Sequence, residues 1–328
     1  VMADVLVMYK KSDMIPMVVT EKHIEQIEKC ISGKVYWCGS EEEALEKGYD
    51  AEILFIWGGS GKMPETYCKQ SKRLKWINSF SAGVNPIMDG SISELPVRLT
   101  NAKGIHGKTM ALTTAGYMIS FMRNSSELYR RQLKHVWNKK FECQPLEAEG
   151  MTVGIIGAGA IGCEVARLSK ALGMTVLGVK RRVTPLEYFD EVYSNDDLDK
   201  VLPLCDFVVI VTPLTDATRH MFNMDKFRIM KKTAVVINIA RGPVVKEDDL
   251  IRALQTGEIG GAALDAVEEE PLSSDSPLWD MDNVIITPHC AADSKLYIDR
   301  AIALFCENLK LYEEGKPLLN EIDMKQRY

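Results

Sequence analysis

The stretch MTVGIIGAGAIGCEVARLSKALG, residues 151–173, decides the fold. MTVGIIG (151–157) is an apolar run of strand length, and IGCEVARLSKALG (161–173) has the periodicity of an amphipathic helix that ends at a glycine. Where they join, GAGAIG (157–162) has the spacing G-x-G-x-x-G. A glycine-rich turn that joins a strand to a helix holds the pyrophosphate of a dinucleotide. The stretch therefore predicts a dinucleotide-binding βαβ unit.

Each part of this turn has its own predicted task. Gly157 permits the tight turn, Gly159 lets the backbone approach the pyrophosphate, and Gly162 lets helix and strand pack closely. Ala160 and Ile161 begin the helix, whose free N–H groups and partial positive charge attract phosphates. A strand–helix turn that binds nothing is the alternative, and the βαβ setting disfavours it.

A basic cluster follows the next apolar run, which ends at Val179. Lys180, Arg181 and Arg182 stand where NAD-binding chains usually carry an acid for the adenosine ribose. Guanidinium and ammonium groups instead suit a 2′-phosphate. The cluster predicts NADP(H) as the preferred cofactor, with NAD(H) as the alternative; a solvated basic turn is the plainer interpretation.

Near-continuous apolar runs recur on the carboxyl side of this unit, with helical patterns between some of them. Such runs indicate strands that are buried on both faces, as in a doubly wound parallel sheet. The runs are TVLGV (175–179), FVVIV (207–211), TAVVINI (233–239), GAALDAV (261–267) and NVIIT (283–287). Residues 1–100 show a similar β-α-β alternation, and a helical region covers 108–140. We therefore expect an α/β protein with two Rossmann-like domains.

Composition narrows the class of protein. The 328 residues have a formal net charge of −6, which argues against binding to nucleic acid or anionic membranes. No apolar run reaches the roughly 18 residues of a membrane span. The eight cysteines include no CxxC pair and no zinc-like spacing, so we expect free thiols and no metal site. The N-terminal residues make a poor signal peptide, and we expect a cytoplasmic protein.

Three residues at or after the ends of apolar runs have the chemistry for reducing a carbonyl group. Arg241 offers a planar fork for a carboxylate, and His289 is a natural proton donor near neutral pH. Glu270 would stabilise an imidazolium nearby. Each also has a plainer interpretation: a surface arginine, a solvated acid in the run 268–270, and a turn histidine. The remaining histidines, His23, His106, His135 and His220, are predicted to be structural.

Seven segments in matching order and spacing resemble the D-isomer-specific 2-hydroxyacid dehydrogenase family over nearly the whole chain. They are WINSFSAGV (76–84), GIHGKTMA (104–111), GAGAIG (157–162), TPLTDATRHMFN (212–223), NIARGPVVKEDDLIRAL (238–254), GGAALDAVEEEPL (260–272) and NVIITPH (283–289). The resemblance implies that Arg241 holds a 2-oxo acid, His289 is the acid/base and Glu270 supports it. The product would be a D-2-hydroxy acid, and the nearest branch is the glyoxylate/hydroxypyruvate reductases.

The resemblance also implies further sites and a domain plan. Thr212, Pro213, Ala240 and Asp265 would contact the cofactor, and Trp57, Gly59, Ser60 and Gly83 the substrate. A discontinuous substrate domain would comprise 1–100 and 291–328, and a dinucleotide-binding domain 101–290. The helical region of about 108–140 would be an arm that forms a homodimer.

This chain departs from the family pattern at two places, and two other functions stay open. Leu112-Thr113 stand where Glu-His is usual, and Ala291-Ala292 stand where a Gly pair is usual. The first departure bears on packing of the arm, and the second narrows the space beside the nicotinamide. The alternatives to a reductase are an oxidising dehydrogenase of the same fold and a non-catalytic, corepressor-like dinucleotide sensor.

Overall fold

The computed structural model describes residues 3–9, 18–141 and 143–324. They fall into two compact units. The first unit combines the chain up to Ile105 with the chain from Asp293 onward, and the second runs from His106 to Ala292. The first unit is therefore discontinuous in sequence.

A five-stranded parallel sheet forms the centre of the first unit. Its strands are β1 (Val5–Met8), β2 (Val35–Cys38), β3 (Ile53–Ile56), β4 (Trp76–Ser79) and β5 (Arg98–Thr100). Their order is β2-β1-β3-β4-β5, and Val5 stands opposite both Val35 and Ile53. Every residue of β1, β3 and β4 is buried, because helices cover both faces of the sheet.

Among the described residues, five α-helices accompany this sheet. They are α1 (Glu21–Glu28), α2 (Glu41–Glu46), α3 (Glu65–Gln70), α4 (Asn85–Met88) and, from the far end of the chain, α11 (Tyr297–Glu313). Phe305 of α11 packs against Phe55 and Trp76, with ring centroids 4.7 and 5.4 Å apart. The late helix thus completes the core of the early sheet.

A seven-stranded parallel sheet forms the second unit. Its strands are β6 (Thr152–Ile156), β7 (Thr175–Val179), β8 (Glu191–Tyr193), β9 (Phe207–Ile210), β10 (Val235–Asn238), β11 (Gly261–Leu264) and β12 (Val284–Ile286). The order β12-β11-β10-β9-β6-β7-β8 reverses direction between β6 and β9. Ligands of doubly wound sheets bind outside the carboxyl ends of the strands at such a reversal. The predicted fold class, with its parallel sheets, is confirmed.

The helices of the second unit differ from prediction mainly in the arm. They are α5 (Gly107–Met122), α6 (Ser125–Leu133), α7 (Ala160–Ala171), α8 (Leu198–Val201), α9 (Met224–Ile229) and α10 (Glu247–Thr256). The prediction of one helical region over 108–140 is wrong in its extent. Asn124 adopts a left-handed conformation (φ 53°) that separates α5 from α6, and helix ends at Leu133.

Candidate active site

The glycine turn has the geometry that its sequence predicted. Gly157 has a φ of 106°, which side-chain-bearing residues rarely adopt, and a Cβ there would lie 2.8 Å from the backbone of Val211 and Thr212. A Cβ on Gly162 would lie 2.7 Å from the carbonyl oxygen of Gly157. At Gly159 the nearest atom would be 4.0 Å away, so this residue leaves open space. Gly157 and Gly162 are therefore packed against neighbouring backbone, whereas Gly159 leaves space for a ligand to approach the turn.

Helix α7 starts from this turn, with Gly159 as its N-cap. Ala160 and Ile161 form its first turn; Ala160 is exposed and Ile161 half-buried. The backbone N–H groups at a helix start have no partner within the helix and favour a phosphate group. The residues present thus suit the pyrophosphate of a dinucleotide.

Pro213 and Thr212 lie directly across the sheet reversal from the glycine turn. Thr212 is half-buried and follows β9, and its backbone nitrogen borders Gly157. The carbonyl oxygen of Pro213 accepts a hydrogen bond from the Thr218 hydroxyl at 2.7 Å, which folds the following loop back. Both predicted cofactor residues are therefore next to the glycine turn.

The basic cluster begins where β7 ends. The N–H groups of Gly157 and Ala158 both donate to the carbonyl of Val179, so the cluster adjoins the glycine turn. Lys180 is half-buried. Burial raises the pKa of the Cys163 thiol near the start of α7, and the positive charge of Lys180 partly offsets that increase. Arg181 and Arg182 are exposed. Two acids, Glu164 on α7 and Asp190 before β8, pair with other cations, Arg167 and Lys170. The cluster thus presents its charge to solvent beside the turn.

His289 and Glu270 form a pair at the carboxyl ends of the strands. The Nδ1 atom of His289 lies 2.8 Å from Oε2 of Glu270. The other carboxylate oxygen of Glu270 accepts a hydrogen bond from the backbone N–H of Val267 at 3.4 Å. Because Nδ1 faces the carboxylate, Nε2 is the ring nitrogen that this pair leaves available.

The turn that carries His289 is built around the buried Asp265. The Asp265 carboxylate accepts hydrogen bonds from the Thr287 hydroxyl at 2.6 Å and from the backbone N–H groups of Cys290 and Ala291 at 2.9 to 3.1 Å. His289 itself has a φ of 52°. The carboxylate therefore stabilises an unusual backbone conformation, in addition to the cofactor contact that the sequence predicted for it.

A buried phenol extends this network. The Tyr117 hydroxyl of α5 hydrogen-bonds to the Thr287 hydroxyl, and because Thr287 donates to Asp265, Tyr117 must be the donor. Burial raises the pKa of Tyr117 to about 12. On the same helix, the hydroxyl of Thr113 donates to the carbonyl of Ala291 at 3.2 Å. The two departures from the family pattern are therefore in direct contact.

Arg241 lies on the segment that follows β10 and is exposed. Its guanidinium donates to the carbonyl of the buried Ala240 at 2.7 Å. The amide of Asn238, fully buried, donates to the carbonyls of Arg241 and Ala266 at 3.1 and 3.2 Å. Asn238 thus ties the arginine to the loop that contains Glu270, a role that the sequence analysis missed.

The predicted substrate residues of the first unit form their own group. The indole N–H of Trp57 donates to the Ser60 hydroxyl at 3.1 Å. A Cβ on Gly59 would lie 3.0 Å from both Ser81 Cβ and the Trp57 ring, and the Ser81 hydroxyl donates to the carbonyl of Gly83. The loops after β3 and β4 are thus packed together, and their contact with a substrate stays a prediction.

The described part of the chain contains neither a candidate metal-ion cluster nor a candidate membrane span. Among residues 3–9, 18–141 and 143–324, no group of three or more His, Cys, Asp or Glu side chains could hold a metal ion. Within the same ranges, none of the helices has the length and apolar character needed to cross a membrane.

Comparison with known proteins identifies the family. Residues 115–291 match the family model for the NAD-binding domain of D-isomer-specific 2-hydroxyacid dehydrogenases. Glyoxylate reductase of Thermofilum pendens is 31% identical over 323 residues, which cover 94% of each chain.

Two solved structures have the same fold over almost the whole chain. A D-isomer-specific 2-hydroxyacid dehydrogenase family protein from Aeromonas salmonicida superimposes with a TM-score of 0.85 at 31% identity, covering 99% of this chain and 100% of that one. An NADPH-dependent glyoxylate/hydroxypyruvate reductase from Sinorhizobium meliloti, solved with NADP and sulfate, gives a TM-score of 0.79 at 28% identity with coverages of 99% and 100%. The chain therefore belongs to the D-isomer-specific 2-hydroxyacid dehydrogenases, a family of NAD(P)-dependent oxidoreductases.

Proposed function

We propose that this protein is an NADPH-preferring reductase that converts a small 2-oxo acid, of the glyoxylate or hydroxypyruvate type, to a D-2-hydroxy acid. The observation that carries the proposal is the His289–Glu270 pair, 2.8 Å apart, in the same unit as the glycine turn. The names of the Thermofilum and Sinorhizobium relatives support the substrate class.

His289 acts as the acid in this reaction. Glu270 accepts a hydrogen bond at Nδ1, which orients the ring and stabilises the imidazolium. Nε2 then donates its proton to the carbonyl oxygen of the substrate, and in the reverse direction the neutral ring takes it back. Reduced nicotinamide, when bound, supplies the hydride that the carbonyl carbon needs.

Arg241 binds the substrate carboxylate. Its guanidinium is exposed at the carboxyl edge of the sheet, and it cannot lose its proton at any physiological pH. Asn238 holds the arginine backbone to the loop of Glu270, so that the binding group and the proton donor keep a fixed spacing. The Trp57–Ser60 loop and Gly83 stay predicted substrate contacts.

The preference for NADPH comes from the basic cluster. Arg181 forks onto a 2′-phosphate, and Lys180 and Arg182 add positive charge beside it. A hydrogen bond to a charged group contributes about 1.5–3 kcal/mol. Two such contacts would favour NADPH over NADH by roughly two to four decades in affinity, at about 1.4 kcal/mol per decade.

A substrate panel tests the proposal directly. Glyoxylate, hydroxypyruvate, pyruvate, phenylpyruvate, branched 2-oxo acids and ketopantoate are each assayed with NADPH and with NADH. We expect the best kcat/KM with glyoxylate or hydroxypyruvate and NADPH, and loss of turnover in His289→Ala. If no 2-oxo acid consumes either cofactor and the variant behaves like the parent, the enzyme is not a reductase and the sensor alternative gains support.

Arg181→Asp tests cofactor selection separately. The substitution puts a carboxylate where NAD-binding chains carry one, and it should lower kcat/KM with NADPH by about 100-fold while NADH improves or stays level. Arg167→Asp is a matched control, since Arg167 pairs with Glu164 on α7 outside the cluster. Equal use of both cofactors by the parent protein would contradict the preference.

Helices α5 and α6 are the proposed dimerisation arm. Large apolar side chains are exposed there, and Trp137, just past α6, is 94% exposed. A second copy of this chain would cover them, because exposed apolar patches of this kind mark interfaces. Sedimentation velocity should give a dimer for the parent protein and a monomer for Leu133→Asp/Trp137→Asp; a monomeric parent would contradict the proposal.

A further inference from the structure

The acidic run before Pro271 contains a second histidine–carboxylate pair. Glu268 stands two residues before Glu270, and its Oε1 atom lies 2.5 Å from Nε2 of His220. His220 sits in the loop after β9 and was predicted to be structural. The pair takes no part in the proton transfer proposed for His289.

The second carboxylate oxygen of Glu268 joins the loop to a helix. The backbone N–H of Glu247, the first residue of α10, donates to Glu268 Oε2 at 2.9 Å. In return, the backbone N–H of Glu268 donates to Glu247 Oε2 at 3.0 Å. Burial and the neighbouring charges of Glu268, Asp248 and Glu269 raise the pKa of Glu247. Glu268 therefore connects the His220 loop, the start of α10 and the loop that carries Glu270.

Two of these segments, the His220 loop and the loop that carries Glu270, lie beside the backbone that follows Arg241. The N–H of His220 donates to the carbonyl of Pro243 at 2.8 Å, so the His220 loop runs beside the residues that follow Arg241. A Cβ on Gly242 would lie only 1.7 Å from the carbonyl oxygen of Val267. The backbone next to Arg241 thus contacts the backbone of the loop that carries Glu270. Glu268 lies directly beside this contact.

We propose that Glu268, held by His220 and Glu247, is a positioning residue that keeps Glu270 within hydrogen-bonding distance of His289. The inference rests on the proposed function, in which Glu270 supports His289. The loop from Asp265 to Pro271 is not part of a helix or strand, so its contacts with neighbouring segments, the Glu268 hydrogen bonds among them, hold Glu270 in place. Loss of the contacts of Glu268 with His220 and Glu247 would lower the fraction of molecules in which Glu270 is hydrogen-bonded to His289.

A double-mutant cycle tests this role. Glu268→Ala is made in the parent protein and in Glu270→Gln, and kcat and KM are measured with the best 2-oxo acid. We expect Glu268→Ala to lower kcat about tenfold in the parent, with KM within about twofold, and to lower it less than about threefold in Glu270→Gln. Non-additivity of this kind appears only if Glu268 acts through Glu270.

Three further variants complete the design. Glu269→Gln is the matched control, because Glu269 is an exposed member of the same run, and it should leave kcat unchanged. Glu268→Gln keeps an acceptor oxygen for Glu247 or His220 and should recover most of the lost kcat. If Glu268→Ala does not fold, Glu268→Gln and His220→Asn replace it in the double-mutant cycle. Each should then lower kcat by a smaller factor.

The results separate this inference from the proposed function. Equal losses of kcat from Glu268→Ala in both backgrounds, or a lower Tm without a change in kcat, would overturn the positioning role. A Glu270→Gln variant with parental kcat would instead overturn the support that Glu270 gives to His289, and with it the positioning role of Glu268. A parent protein that reduces no 2-oxo acid would overturn the proposed function itself.

Discussion

Two histidine–glutamate pairs in one unit invite comparison. His289 with Glu270 and His220 with Glu268 use the same acidic run, and both histidines adopt left-handed backbone conformations, with φ of 52° and 53°. Side-chain exposure is similar: 46% and 38% in the first pair, 38% and 31% in the second. The pairs differ in the bonded nitrogen, Nδ1 in His289 and Nε2 in His220. Burial therefore does not distinguish the proposed acid, His289, from His220, which holds Glu268. The two histidines differ instead in which ring nitrogen stays available.

The largest expected difference comes from replacing each histidine with asparagine, which tolerates a positive φ. His289→Asn should lower kcat/KM by about 10³-fold, because the general acid is lost. His220→Asn should lower it less than about tenfold, because only an indirect contact is lost. Steady-state kinetics with the best 2-oxo acid and NADPH measure both effects. Similar losses in the two variants would show that the pairs do not have separate tasks.

Replacing each glutamate with glutamine should give an intermediate effect. Glu270→Gln should lower kcat/KM roughly 10- to 100-fold, since the imidazolium loses its charged partner. Glu268→Gln should lower it less than about threefold, because glutamine keeps an acceptor oxygen for Glu247 or His220. Steady-state kinetics of both variants with the best 2-oxo acid and NADPH measure the two effects. A larger loss in Glu268→Gln than in Glu270→Gln would reverse the assignment of the pairs.

The smallest expected effect concerns the stability of the protein. It involves Glu247, which hydrogen-bonds to Glu268 of the His220 pair. The pKa of Glu247 is raised above 4.5 by burial and nearby acids, so the folded state holds this proton more tightly than the unfolded state. Stability is then lost as pH rises through the window above 4.5. Glu247→Gln keeps the acceptor oxygen and removes the charge.

The Tm of Glu247→Gln should therefore exceed that of the parent protein by about 1–3 °C at pH 7. The difference in Tm should vanish toward pH 4. Thermal unfolding followed by circular dichroism across this range measures the change. Glu269→Gln, exposed in the same region, should show no such trend. A lower Tm for Glu247→Gln at pH 7 would mean that its charge stabilises the cluster.

Much of the fold was predictable, because its signals are local. Three glycines are enough to predict the geometry of the turn, and most of the buried strands appear as largely apolar runs. Strands β5 and β8 were missed, since each has only three residues, too few to show alternation or a continuous apolar run. The break within the helical region 108–140 was not predicted, although Asn124 followed by two serines is a usual end and start signal for helices.

The active residues were predictable to a smaller extent. His289 and Glu270 are 19 residues apart in sequence, and their pairing was expected from family resemblance and from their places at the sheet edge. His220 and Glu268 are 48 residues apart, and nothing in the spacing of either residue points to the other. Asn238 was hidden in the same way, because its two acceptors lie on separate segments. Contacts between distant segments arise only when the sheet brings strand ends together.

The discontinuity of the first unit has a consequence for synthesis on the ribosome. Its sheet is translated first, yet α11, which packs Phe305 against Phe55 and Trp76, emerges only after the roughly 190 residues of the second unit. At about 5–20 residues per second, the nascent sheet waits on the order of 10–40 s with an apolar face uncovered. The second unit is contiguous and can fold during that interval. The nascent first unit would therefore expose apolar surface until α11 is synthesised, and codons that slow translation between 106 and 292 would lengthen that exposure.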